Sequence, residues 1–224
     1  MKVYVMDKKK TFDQLNKNSE NTKEKLFYSS VYLFSEKGYA NVGIREISRS
    51  VGIKPSSFYN HFPSKEALFR EILESFRHMM GKVVFTDEEI ERIADEGDIG
   101  GFFIQNMERF RSVTGNPLFH TLLQIINMES YTNRDAFELA VQNLYYLRKD
   151  YTEKVLKKML EKGHIKPCAP AIITSEYYYT LKGLLDEYLL REVWDKDTSE
   201  IMLKIKAHIQ FFTTLLKTER GDDS

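Results

Sequence analysis

A single cysteine, Cys168, among 224 residues leaves no partner for an internal disulfide and cannot build a thiolate metal site. That scarcity fits a reduced, cytoplasmic setting. Prolines number five, too few to interrupt long helices often. The five histidines show no HExxH or paired-ligand spacing, and no GxGxxG or GxxxxGK(S/T) loop offers backbone N–H groups to nucleotide phosphates. A GxSxG nucleophile turn is lacking as well. Carboxylate pairs such as Glu88-Glu89 and Asp186-Glu187 read as solvated helix charge. No catalytic residue, metal or cofactor is therefore expected. Long apolar runs are missing too: Ser112 to Met128 carries no formal charge, but Gly115-Asn116-Pro117 breaks it and only about a dozen residues follow, too few to span a bilayer. Met1 to Asp7 lacks the apolar core of a signal peptide. The expectation is a soluble, intracellular protein.

Net charge is absent in sum but not in distribution. Residues 1–85 hold 15 Lys and Arg against 9 Asp and Glu, and the remainder holds 18 against 24. A basic first part supplies the counterion-release term that drives association with nucleic acid, and an acidic second part keeps the rest of the molecule off the duplex. Lys8, Lys9 and Lys10 open a polar stretch without helical periodicity, so residues 1–20 are expected to form a flexible arm.

The informative stretch is Ile44 to Leu68. Ile44, Ile47 and Val51 repeat at helical spacing and stop at Gly52, a residue that tolerates the left-handed conformation of a helix end. Pro55 then sits where a first helical residue loses nothing by lacking an N–H. The next helix is short, running to about His61, because Pro63 disfavours a helical Phe62. Phe58 and Phe62 face Ile47 and Val51, while Lys54, Ser56, Ser57, Asn60 and His61 occupy the opposite side. Short polar side chains on a stub of helix suit phosphates and base edges in a major groove. Ser64 caps a further helix, with Lys65 in its first turn and Leu68, Ile72 and Phe76 on its apolar face. Upstream, Asn21 or Thr22 caps a helix through Leu26, Ser30, Leu33 and Phe34 that ends at Gly38. A helix-turn-helix over residues 21–85 results, including the linker helix 65–84.

The segment FSEKGYANVGIREISRSVGIKPSSFYNHFPSKEAL resembles the N-terminal domain of the tetracycline-repressor (TetR) family of transcriptional regulators. The resemblance runs from about Thr22 to Phe76 and rests on Leu33-Phe34 before Lys37-Gly38-Tyr39, then Arg45-Glu46-Ile47, Gly52-Ile53, Phe58-Tyr59 with His61-Phe62, and Lys65-Glu66 with Leu68. It implies that Tyr59 and Lys65 contact DNA phosphates, that Arg45 reaches DNA, and that Lys54, Pro55, Ser56, Ser57 and Asn60 lie in the recognition segment. Thr22 is counted with them. His61 either meets DNA or packs the end of its helix. Gly43, Ser48, Lys54 and Ser56 depart from the family pattern of threonine, alanine, serine and glycine.

Residues 86–224 read as a second, all-helical domain. Segments fall at Asp87–Glu96 before Gly97, Ile99–Val113, Leu118 to about Tyr131, one long helix from Asn133 to Gly163, Ala171–Glu192, and Ser199 to about Lys217. The last two are apolar nearly all round and so need cover on two sides. Tyr177, Leu181, Leu184, Tyr188, Ile205, Ile209, Phe212 and Leu216 are the candidates for a homodimer interface. Phe103, Met107, Phe110, Phe119, Leu123, Tyr145 and Tyr178, with Phe102 nearby, are candidate walls of an effector pocket. His120, Gln124, Asn127 and Arg109 are candidate polar handles. The expected function is a dimeric, ligand-responsive regulator, most simply a repressor, released from a palindromic operator by a small apolar or aromatic effector. The alternative is a DNA-bound scaffold of the same fold controlled by a protein partner.

Overall fold

The computed structural model describes residues 8–218, and apart from one isolated bridge between Ile165 and Lys217 its regular structure is helical. In chain order the helices are α1 (Lys8–Asn18), α2 (Thr22–Lys37), α3 (Ile44–Ser50), α4 (Pro55–Phe58), α5 (Lys65–Gly81), α6 (Asp87–Glu96), α7 (Ile99–Thr114), α8 (Pro117–Glu129), α9 (Arg134–Ala140), α10 (Leu147–Glu161), α11 (Pro170–Val193) and α12 (Ser199–Leu216). A π-helical turn, Val141–Tyr146, connects α9 to α10. Of the described residues, 8–82 with 112–141 form one compact unit and 83–111 with 142–218 form another. The sequence-based boundary at 85/86 therefore needs correction: α8 and α9 belong with the first unit although the chain reaches them only after α7.

In the first unit the caps follow the sequence signals. Asn21 accepts from the Glu24 N–H, Ser64 accepts from the Ala67 N–H at 3.1 Å, and Gly52 takes φ 73° so that the Ile53 N–H can return to the Ser48 carbonyl at 3.0 Å. Leu26, Phe34, Ile47, Phe58, Phe62, Leu68, Ile72 and Phe76 make the buried core. α8 completes it. Phe119 stacks on Phe76 with ring centroids 5.4 Å apart, Gln124 donates to the Ser35 carbonyl at 2.9 Å, and the buried Glu129 carboxylate accepts the Tyr39 N–H at 2.8 Å. Each fully buried aromatic of this kind contributes about 1.5–3 kcal/mol.

The expected flexible arm is a helix from Lys8 onward, with residues 1–7 outside the described chain. One apolar residue anchors it: Phe12 is buried at 6.1 Å from the Tyr32 ring, and Lys8 reaches Glu36 and Gln124. A single anchor in a polar run leaves no periodicity to read.

The second unit begins at a capping box, in which Thr86 and Glu89 exchange bonds with each other's N–H, and α6 ends at left-handed Gly97. Phe85, Ile93, Phe102, Phe103, Val155, Met159, Leu181, Ile205 and Phe212 form its core. The expected single helix from Asn133 to Gly163 is instead broken by the π-turn. Its wider winding inserts an extra residue into the helical repeat and rotates the face that α10 presents. Phe137, expected inside, is 52% exposed, while Asn143 and Arg148 are buried.

Candidate nucleic-acid interface and effector site

Phe58, fully buried, plugs α4 into the core, and everything around it on that element points outward. Lys54, Pro55, Ser56, Tyr59 and Asn60 are exposed, Tyr59 by 55%, while Ser57 and His61 are half-buried. The helix proper ends at Phe58, and the Asn60, His61 and Phe62 amides close turns onto the carbonyls of Ser57 and Phe58. This is a shorter helix than the sequence suggests, because nothing after Phe58 but Phe62 packs inward.

Arg45 and Arg49 are exposed one turn apart on α3, and with Lys54 they make no ion pair among the described residues. Exposed, unneutralised cations beside a polar helix are what phosphate binding requires. Arg49 escaped the sequence reading, although its i, i+4 relation to Arg45 placed both on one face. Gly43 caps α3 with extended backbone and no side-chain bond. Thr22 is the half-buried first residue of α2, whose cap is Asn21.

Lys65, expected to contact a DNA phosphate, is engaged within the chain. Its Nζ donates to the Tyr39 and Val42 carbonyls, each at 3.0 Å, and lies 4.1 Å from the centre of the Tyr39 ring. The ammonium thus ties the loop between α2 and α3 to the start of α5. Tyr39 in turn donates to Glu66 at 3.2 Å, and burial followed by the Glu66 charge pushes its hydroxyl up to about 12.

The effector candidates divide between the units. On α8, Phe119 and Leu123 are core, Gln124 bridges Ser35 and Lys8, Asn127 is exposed, and His120 Nε2 sits 2.6 Å from the Thr114 carbonyl. Packing against α2 and α5 accounts for Phe119, Leu123 and Gln124 without a ligand. Arg109 is engaged as well, by the Val84 carbonyl, the Glu89 carboxylate and the Phe85 ring. Phe103, Met107, Phe110 and Tyr178 lie in the second unit with Tyr145, which is exposed near Tyr179.

Inside that unit is a polar cluster that sequence reading missed. Asn106 Oδ1 accepts from Arg148 Nη2 at 2.7 Å and from the Tyr151 hydroxyl at 3.0 Å. Its Nδ2 donates to the Tyr178 hydroxyl at 2.7 Å, which also shares a proton with Thr152 at 2.9 Å. A buried arginine gives no periodic signal, and only the phase change at the π-turn carries Arg148 inward.

The expected dimer residues also require correction. Tyr177, Leu181, Ile205, Phe212 and Leu216 are buried within the chain's own core, while Leu184, Tyr188 and Ile209 are partly so. The outward apolar face is another one: Ile172, Tyr179, Leu190, Val193 and Trp194 on α11 and just beyond it, and Leu203, Phe211 and Leu215 on α12. Helices apolar all round do not declare which side turns in. No helix among the described residues is long and apolar enough to cross a membrane.

A family model described as bacterial regulatory proteins, tetR family, matches residues 29–72. The biofilm operon icaADBC HTH-type negative transcriptional regulator IcaR of Staphylococcus epidermidis is 42% identical over 53 residues, 24% of this chain and 29% of that protein. The uncharacterized HTH-type transcriptional regulator YerO of Bacillus subtilis is 39% identical over 69 residues, 30% of this chain and 24% of that protein. The chain thus spans well under two thirds of the curated relatives it matches. Among solved structures, a TetR-family transcriptional regulator from Mesorhizobium loti superposes with TM-score 0.58 at 17% identity, over 88% of this chain and 96% of that one. The flavonoid-responsive regulator FrrA gives 0.54 at 18%, over 89% and 98%. At such identities the likeness is one of fold.

Proposed function

We propose that this chain, a member of the tetR family of bacterial regulatory proteins by its helix-turn-helix and its fold, is a homodimeric, ligand-responsive repressor acting in the cytoplasm on a palindromic operator. One observation carries the reading: α4 presents exposed polar side chains from a buried phenylalanine anchor, beside Arg45, Arg49 and Lys54, which form no ion pair among the described residues. Two such helices, with centres about 34–36 Å apart, would enter successive major grooves on one side of the duplex. Tyr59 and the cations supply sequence-independent affinity, and Ser57 and Asn60 read base edges.

The exposed apolar stripe of α11 and α12 supports the dimer, since Trp194, Leu190, Leu203 and Phe211 are left uncovered by the described residues. Repression accords with the negative regulator IcaR, and a responsive body accords with FrrA. An effector would act by preferring the conformer that cannot bind DNA, with α5 as the lever. To swing the population from one extreme to the other, that preference must reach about 5.5 kcal/mol. In vitro selection from a random duplex library tests the reading. A two-fold symmetric motif protected on one side of the duplex is expected; enrichment of no motif at low salt would overturn it.

A further inference from the structure

Arg148 is a cation without a counter-ion. Its residue is only 8% exposed, and no carboxylate pairs with it among the described residues. Its Nη2 donates to the neutral amide oxygen of Asn106, the Tyr151 hydroxyl is its other polar neighbour, its Nε is buried with no hydrogen-bond partner among the described residues, and the Phe110 ring covers its guanidinium at 4.3 Å. The Tyr151 and Tyr177 phenols do not supply the missing charge. Burial pushes the Tyr151 and Tyr177 hydroxyls far above their ordinary range, so both remain protonated. The Tyr177 hydroxyl is itself buried with no acceptor among the described residues, and the Arg148 charge opposes the upward push that burial gives it. Two buried donors of this unit thus lack an acceptor among the described residues, and a charge that arginine cannot shed has no carboxylate partner among them.

We infer that the Arg148 guanidinium, with the Tyr177 hydroxyl, is the anchor for a small carboxylate with a flat apolar body. A carboxylate matches the geometry: it offers the guanidinium fork two oxygens and neutralises it in a site that excludes water. The walls select the remainder of the ligand. Phe110 and Met107 are partly exposed on α7, so they form the thin side of the cluster, while the tilted Phe103 ring lies 4.6 Å from that of Tyr177. Flat aromatic surfaces of this kind favour an aryl group over a branched or hydrophilic one. The inference rests on the reading of the second unit as the effector domain and names the effector's chemistry.

The test is calorimetric titration and thermal melting of the full chain with benzoate, against benzamide as the neutral isostere and acetate as the bare anion. Benzoate is expected to bind at least tenfold more tightly than either. Arg148→Gln removes that preference. Asn106→Asp places a carboxylate where the amide now accepts from Arg148, so it raises the melting temperature and abolishes benzoate binding without removing any side chain from the core. Equal responses to benzoate and benzamide in the native chain, or benzoate binding that survives Asn106→Asp, would overturn the site. Operator retention is scored separately. Benzoate binding that leaves DNA binding unchanged upholds the anion site and overturns the ligand-responsive part of the proposed function instead.

Discussion

Replacing Lys65 by methionine separates two roles that the sequence alone could not distinguish. Methionine keeps the unbranched stem and removes the charge, so packing along α5 changes little. The substitution deletes a pair of 3.0 Å bonds to the Tyr39 and Val42 carbonyls and a cation 4.1 Å from the Tyr39 ring. Hydrogen bonds to a charged group are worth about 1.5–3 kcal/mol each in favourable settings, and a partly exposed cation–π contact about 0.5–1. Lys65 is half-buried and both carbonyls can recover some water, so the combined loss should be about 2–3 kcal/mol. In a protein of this size that is a fall of about 4–12 °C in melting temperature. Melting followed by circular dichroism reads the stability, and operator titration at several salt concentrations reads the charge. A lysine that ties a loop leaves the slope of log affinity against log salt nearly unchanged, whereas a lysine on a phosphate lowers it by about one. An unchanged melting temperature with a slope reduced by one would refute the structural role.

Other consequences can be checked in the same preparations. Gly43 has φ −100° and ψ 157°, with nothing within 4 Å of an added Cβ, so Gly43→Thr should gain about 0.5–1 kcal/mol from a new cap and a stiffer unfolded chain, visible as a raised melting temperature. Glu91 is held at about 2 by Lys158 and then Lys162. A carboxyl lowered in this way contributes stability that is complete above its unfolded value near 4.5 and lost as the pH falls towards 2; Glu91→Gln should flatten that limb of an acid melting series. Phe211→Glu should yield a folded monomer by light scattering, while Phe212→Glu, one residue on but buried, should unfold the second unit. Two folded dimers would argue against the assigned face.

Local chemistry was legible and long-range packing was not. α6 runs from Asp87 to Glu96, and α3 stops just short of Gly52, because a capping threonine and a left-handed glycine act within a single turn. The outward side of α4 was legible for the same reason, since Phe58 alone fixes its inward direction. The π-turn at Val141–Tyr146 left no such mark, and by shifting the phase it turned Phe137 out and Arg148 in. Phe119 and Gln124 looked like pocket residues because an apolar stripe with one amide fits a ligand wall as well as it fits the α2 and α5 surfaces that they cover. On α11 and α12, apolar residues on every side concealed the choice between core and partner, and only solvent exposure separates Phe212 from Phe211.

In the proposed function, the outward side of α4 reads bases in two symmetric half-sites. The direct measurement is the motif selected by the native chain beside that selected by Asn60→Ala and Ser57→Ala, all at one salt concentration. Changes confined to symmetry-related positions of both half-sites are expected, with affinity for random DNA retained. Identical motifs for all three proteins, or a uniform loss of binding with no change in preference, would contradict it.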